Sequence, residues 1–456
     1  MLRRLFWSVY LLRQIAGQKN LPFRPLEDIR REQSRRVRRI IAHAYRHVPF
    51  YTDAMRRLGL RPEDFRSAED LARLPIVEKS DLQRDPEYFR SRAFNDSDCV
   101  RLHTSGSSGA PVTLYHDAAA LFQNAAHGER ERKMMVPVLG RWSGHRETVI
   151  VAPVNSSQRL IQQFCQTRAY FPRGMRIRRQ YLLLSDSAEH NLAAINQFEP
   201  DLLYAYGSSI EMLAAHVRRT GARWHKPKAV LYTSDQLSKE TRRWLEGDNG
   251  VPVFTVYGAV EALKIAFECG ERGGLHVNAD LYPVRILTPG GREAAPGETG
   301  EVIVSNLVNR ATVLLNYRLG DLAAPLETAC ACGRTLPRIS YPVGRVDEII
   351  ETASGEFIHP IRFREVMNGI EGIARYQVRQ RKDYSVALDV VPAPGAGGED
   401  LRRRVQRGIE EEFAETLHVE VALVSEIRRN ANGKTPVVIA YRRPEQLPDA
   451  PGSVRP

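Results

Sequence analysis

The residues best suited to chemistry in this 456-residue chain fall into a few separate clusters. Thr104-Ser105-Gly106-Ser107-Ser108-Gly109, followed by Ala110-Pro111-Val112, gathers hydroxyls and glycines in one short loop. Glycine permits close backbone approach, and hydroxyl and amide groups turned into a concavity suit phosphate oxygens. The loop lacks the lysine and spacing of G-x-x-x-x-G-K-[ST], and a Ser/Gly-rich turn is equally the composition of a plain flexible loop. Further candidates are Tyr257-Gly258-Ala259-Val260-Glu261, Asn316-Tyr317-Arg318-Leu319-Gly320-Asp321, Gly344-Arg345-Val346-Asp347 and Asn432-Gly433-Lys434. Taken singly these read as a strand end, a turn, a surface ion pair and an exposed lysine. Cys269 and His276, with Cys330 and Cys332 on a Gly-containing knuckle, have the donor types of a tetrahedral Cys₃His zinc site. Buried thiols beside a capping histidine are the alternative. Cys99 and Cys165 lack partners in sequence and are expected in the core.

These clusters need a scaffold. The first hundred residues read as helices; Val37, Ile40, Ile41 and Tyr45 recur at spacings of three and four, giving one buried face. Between 98 and 345 short apolar runs alternate with helical stretches: VIVAPV (149–154), AVLYTS (229–234), VFTVYG (253–258) and EVIVSN (301–306). That alternation predicts an α/β sheet covered by helices. From 346 a small βαβ-like unit follows, with strands near 374–380, 384–391 and 418–425 and a loop at PAPGAGG (392–398). The organisation expected is a helical leading region of the large domain (1–97), its α/β part (98–344), a small α+β domain (345–443) and a disordered tail (444–456).

Composition narrows the class. Hydrophobic residues at 43% and charged residues at 26% describe a globular protein. Lys+Arg 66 against Asp+Glu 54 leaves +12, but only nine of the cations are Lys and they form no single stripe, so no nucleic-acid partner is expected. Five Cys are too few and too scattered for a disulfide scaffold and suit a reducing cytoplasm. No stretch reaches the ~20 apolar residues of a membrane span. MLRRLFWSVYLLRQIAG, where Arg4 and Arg13 bracket eight uncharged residues, reads as an amphipathic helix docked on its own domain. A basic helix on a membrane surface is the alternative, and export is not expected. RREQSRRVRR (30–39) reads as a solvated helix face, and RGMRIRRQ (173–180) as a solvated loop or a basic rim facing phosphates.

Taken together and in order, the five motifs resemble the adenylate-forming ligase superfamily, in its phenylacetate–CoA ligase and CapK-like branch. HVPFYTDAMRRLGL (47–60), LARLPIVEKSDL (71–82), PDLLYAYGSSIEMLA (200–214) and CACGRTLPRIS (330–340) match the style of that branch. The resemblance implies a large ligase domain and a small mobile C-terminal domain. It implies ATP phosphates under Thr104, Ser105, Gly106, Ser107, Ser108 and Gly109, adenine against Tyr257, Mg²⁺ at Glu261 and ribose at Asp321. Arg345 would lie near ribose and phosphate, Asp347 would be the hinge, and Lys434 would bridge the reacting carboxylate and the α-phosphate. Ala262 and Lys264 fall where the acyl substrate enters, and Gly355 beside a coenzyme A tunnel. The implied activity is an ATP-dependent joining of a small carboxylic acid to coenzyme A through acyl-AMP, and relatives suggest a homodimer.

The chain also departs from the pattern. Thr312-Val313-Leu314-Leu315-Asn316-Tyr317 replaces the usual Pro-Leu-Ile-Arg-Tyr, bulky Leu263-Lys264 follows Glu261, and no arginine follows Lys434 closely. A Lys264 that points inward would favour a polar or anionic acid, because an unpaired buried ammonium is costly; the alternative is that its long stem simply turns the ammonium to solvent. The alternatives are acyl transfer to an amine or carrier protein, AMP transfer to a small-molecule hydroxyl, and a non-catalytic scaffold on the same fold.

Overall fold

A computed structural model describes residues 2–104, 112–151, 157–170, 177–184, 186–234, 237, 239–327, 329–342, 350–353, 357–358, 362–363, 366–367, 369–393, 395–396, 398–413, 416–427 and 437–441. They divide into two compact units. The first takes in residues up to Thr104, then 112–319 and Ala323–Tyr341; the second holds Gly320–Leu322 and the described residues from Pro342 onward.

The first unit opens with helices α1 (Leu2–Ile15), α2 (Leu26–His47), α3 (Pro49–Arg57) and α4 (Lys79–Arg84). Val37, Ile40 and Ile41 of α2 pack with Tyr51 and Met55 of α3 against Leu307, Val313 and Leu315, which ties the helical region into the large unit. Next come strands β1 (Cys99–His103) and β2 (Thr113–Asp117), an antiparallel pair, and helix α5 (Ala118–Leu139). Asp117 caps α5 by accepting from the amides of Ala119 and Ala120 at 2.9 and 3.2 Å, the role for which a short carboxylate is favoured at a helix start.

The central sheet uses β3 (Arg146–Val151), β4 (Arg178–Leu183), β5 (Leu202–Tyr206), β6 (Ala229–Thr233), β7 (Val253–Ala259), β8 (Leu263–Glu268) and β9 (Leu275–Val277). A three-stranded sheet is made by β10 (Val284–Leu287), β11 (Gly300–Val304) and β12 (Tyr317–Ala323). Short β13 (Pro325–Leu326) and β14 (Arg338–Ile339) complete the central sheet in the order β13-β14-β9-β8-β7-β6-β5-β3-β4. From β4 to β7 neighbours are parallel; from β7 outward they are antiparallel. Parallel strands covered on both faces read as continuous apolar runs, and Ala229, Val230 and Leu231 of β6 are all buried. One face packs on α6 (Ala188–Phe198) and α7 (Gly207–Thr220), the other on Met134, Met135 and Leu139 of α5.

The second unit contains the pair β15 (Ile350–Glu351) and β16 (Phe357–Ile358), and a four-stranded sheet in the order β19-β18-β17-β20. Its strands are β17 (Ile373–Gln380), β18 (Val386–Pro392), β19 (Val419–Leu423) and β20 (Val438–Ile439). Helix Gly398–Phe413 buries Leu401, Val405, Ile409 and Phe413 at four-residue spacing against Val378, Leu388 and Val390. The expected α/β architecture, a large domain followed by a smaller one, is the one observed. Two details differ from the sequence reading. Arg178-Arg179-Gln180 starts strand β4 instead of continuing a loop, and Cys99 is only half-buried on β1, whereas Cys165 is core.

Candidate active site

The site lies where the sheet changes from parallel to antiparallel, at the carboxyl end of β7, which is where open α/β sheets place ligands. β7 runs into Tyr257-Gly258-Ala259, turns through Val260-Glu261-Ala262, and returns as β8. The register pairs Tyr257 with Ala266 but Gly258 with Lys264, so a bulge sits at the turn. Gly258 is required there: a Cβ would meet the Leu263 carbonyl oxygen at 2.3 Å. Leu263 takes φ 56°, which closes the turn at some cost in backbone strain.

Glu261 is held from two sides. Its carboxylate accepts from the Tyr317 hydroxyl at 3.3 Å and its carbonyl from Asn306 Nδ2 at 2.9 Å. Tyr317 is the buried first residue of β12, the strand that also carries half-buried Asp321. Asn316, which breaks the family pattern, sits at φ 57°, a region asparagine tolerates better than most residues. It donates to the Leu74 carbonyl and accepts from Arg285, each at 2.8 Å. Thr104 pairs with Val112: its amide donates to the Val112 carbonyl and its hydroxyl accepts from the Val112 amide, both at 3.0 Å. Residues Ser105, Gly106, Ser107, Ser108 and Gly109 lie outside the described residues, as do Arg345, Asp347, Gly355, Lys434 and the tail beyond 443.

Lys264 corrects one expectation. Its ammonium donates to Glu131 Oε2 at 2.8 Å and is therefore neither unpaired nor turned to solvent; its side chain is 29% exposed and that of Glu131 8%. Glu131 comes from α5, whose inner face also carries His127, Arg130 and Asn124, all buried. Arg130 is fully buried and makes paired hydrogen bonds to both Asp280 oxygens at 2.8 Å, with further bonds to Asn278 and Gln18. Burial alone would raise the Asp280 carboxyl, but the Arg130 guanidinium overrides it and holds the group below the usual carboxylate range. His127 is kept neutral, first by burial and then by Arg130, Arg36 and Lys264. Asn278 links this network back to the hairpin by donating to the Lys264 carbonyl at 3.0 Å. The polar face of α5 is invisible to a reading that treats helical charges as solvated; spacings of three and four from Asn124 to His127 to Glu131 were its signal.

The cysteine–histidine set converges. The donor atoms of Cys269, His276, Cys330 and Cys332 all lie within 4.8 Å of one another. Cys269 and Cys330 sulfurs are 3.5 Å apart, and Cys332 Sγ is 3.4 Å from His276 Nε2. A tetrahedron with zinc–sulfur bonds of ~2.3 Å has edges of ~3.8 Å, so the donor set fits. Burial, then Arg334 and Arg338, push the His276 imidazole down to about 4, so it is neutral and able to ligate. Burial also pushes Cys269 up to about 12. For Cys332 it acts the same way, but hydrogen bonds from the Arg334 backbone and side chain bring that thiol below its ordinary range.

The Lys264–Glu131 pair is testable on its own. Glu131→Gln should cost roughly 1–3 kcal/mol by stranding a partly buried ammonium. Adding Lys264→Met should recover most of that loss. Denaturant midpoints of the two single variants and the double variant measure the coupling; simple additivity would show that the pair does not interact.

Residues 350–441 match the family model described as the CapK C-terminal domain. The phenylacetate–coenzyme A ligase of Thermus thermophilus is 25% identical, over 93% of this chain and 99% of that protein. The enzyme of the same name from Escherichia coli is 24% identical, over 80% of this chain and 82% of its own length. Among solved structures, 2-hydroxyisobutyryl-CoA ligase in the postadenylation state with R3-HIB-AMP superposes with a TM-score of 0.71 at 18% identity, covering 91% of this chain and 89% of that one. Along nearly its whole length the chain is thus similar to phenylacetate–coenzyme A ligases, and it shares the two-part fold of a solved adenylate-forming ligase.

Proposed function

We propose that the chain activates a small carboxylic acid with ATP and passes the acyl group to the thiol of coenzyme A. The observation that carries this reading is the contact between the Glu261 carboxylate and the Tyr317 hydroxyl, which fixes an acid at the end of β7 to the strand bearing Asp321. A scaffold on the same fold has no need of a carboxylate so held. The names of the relatives supply the thiol acceptor. In the first half-reaction a substrate carboxylate oxygen bonds to the α-phosphorus of ATP, the bond to the β-phosphate oxygen breaks, and pyrophosphate leaves. In the second the coenzyme A thiol loses its proton, attacks the acyl carbon, and AMP departs.

This chain's residues mostly bind and orient. Tyr257 lies against adenine, Asp321 accepts from the ribose hydroxyls, and the loop from Thr104 to Gly109 and Arg345 hold phosphate oxygens. Glu261 is a hard oxygen donor fit for Mg²⁺, which when bound offsets phosphate charge. Lys434 supplies the cation between carboxylate and α-phosphate, where negative charge grows in the transition state. Asp347 is the pivot on which the small domain exchanges Lys434 for the tunnel beside Gly355. Ala262 and the Lys264–Glu131 pair border the acyl group. With its own counter-ion, Lys264 makes no demand for a substrate anion and presents a dipolar edge instead.

Pyrophosphate exchange over a panel of acids, repeated for thioester with coenzyme A added, tests the reading. Exchange with at least one acid followed by thioester is expected. No exchange with any acid overturns the ligase, and exchange without thioester moves the acyl group to another acceptor. Lys434→Ala should lower exchange by about 10²–10³-fold, yet leave thioester formation from supplied acyl-adenylate nearly intact. Equal damage to both would remove Lys434 from the first step.

We further propose that Cys269, His276, Cys330 and Cys332 hold a structural zinc that clips the segment after β8 to the 330–332 knuckle. Zinc coordination and folding are coupled, so about one zinc per chain should be bound and lost, with thermal stability, in Cys330→Ser or Cys332→Ser. Protein purified without chelator that contains no zinc ends this proposal.

A further inference from the structure

Helix α1 is apolar on two sides. Its inner side is fully used: Trp7 stacks on Phe122 at 4.9 Å between centroids, Leu11 is buried, and the Tyr10 hydroxyl accepts from Gln123 at 2.8 Å. Its outer side carries Leu2, Leu5, Phe6, Val9 and Leu12, exposed by 84, 54, 60, 43 and 61%. These are five of the nine strongly exposed large hydrophobics among the described residues. At 100° per residue the five fall within an arc of roughly 120°, so they form one continuous stripe. Exposed Tyr170 lies 4.3 Å beneath the guanidinium of Arg4, on the same helix. A concentrated apolar patch on an otherwise polar surface marks a contact site.

Charge selects the occupant. α1 contains Arg3, Arg4 and Arg13 and no acidic residue; Arg3 lies 3.7 Å from Asp98, while Arg13 stands exposed at the far end of the stripe. A second copy laid on this helix in either direction would bring arginines together with no carboxylate between them on α1. Residues 442–456, RRPEQLPDAPGSVRP, are too polar to cover it. We infer that this face docks on an anionic phospholipid bilayer. The stripe runs about 15 Å, half the hydrocarbon thickness of ~30 Å, so the helix lies along the interface. Leucine and phenylalanine enter the acyl boundary while the arginines meet lipid phosphates. The docking holds the ligase at a membrane surface and requires no part of its catalytic machinery.

Flotation of the full-length protein with vesicles tests this. Phosphatidylcholine mixed with phosphatidylglycerol should capture at least about tenfold more protein than phosphatidylcholine alone, with capture falling as salt rises. Leu5→Asp/Phe6→Asp should reduce capture by at least about tenfold with an unchanged circular dichroism spectrum, and Phe6→Ser alone by a smaller factor. No capture by mixed vesicles at low salt, or equal capture of the variants, overturns the inference. A concentration-dependent dimer that the double variant dissolves would assign the face to a second copy instead.

Discussion

A hairpin with no room for a side chain at its turn sets the position of the proposed chemistry. Any residue but glycine at 258 would drive a Cβ into the Leu263 carbonyl, so the close approach of β7 and β8 at this turn requires glycine. That closure packs Tyr257 against the core, puts Glu261 within reach of Tyr317, and starts β8 at Leu263. The far end is anchored as firmly: fully buried Glu268 accepts from Arg242 at 3.0 Å and from the Thr255 amide at 2.9 Å. Cys269 follows directly, so the same rigid pair of strands that presents Glu261 at one end presents the metal-fitting cysteine at the other.

The hairpin is in turn registered by buried charge. Arg130 and Asp280 lie wholly out of water, an arrangement that stabilises only when every donor and acceptor is met. Here the guanidinium is met by Asp280, Asn278 and Gln18, and Asn278 reaches the backbone of Lys264. Helix α5 is thereby locked to the hairpin by direction-specific bonds, whereas apolar packing alone would tolerate sliding. For the proposed activity such a wall matters, because displacement by about 1 Å near reacting atoms is costly.

Much of this was legible in the residue order. Apolar runs located β6, β7 and β11, the three-and-four spacing located the buried face of α2, and the Cys and His types marked a cluster that the fold closes to 4.8 Å. Partnership between distant segments was not legible. Nothing near Lys264 in sequence points to Glu131, 133 positions away, and the fit of Asn316 to a left-handed turn appears only when its backbone angle is known. The polar side of α5 misleads for a related reason: charges on a helix are normally solvated, and only the topology reveals that this helix is enclosed.

The account stands or falls on whether Glu261, held by Tyr317, binds the metal that accompanies ATP. The direct measurement is the Mg²⁺ dependence of pyrophosphate exchange in the wild type, Tyr317→Phe and Glu261→Gln. Loss of the long hydroxyl–carboxylate bond should raise the Mg²⁺ requirement of Tyr317→Phe by about three- to tenfold with little change at saturation. Glu261→Gln should lose most exchange even at saturating metal. Mg²⁺ curves that coincide for all three proteins would contradict the central claim.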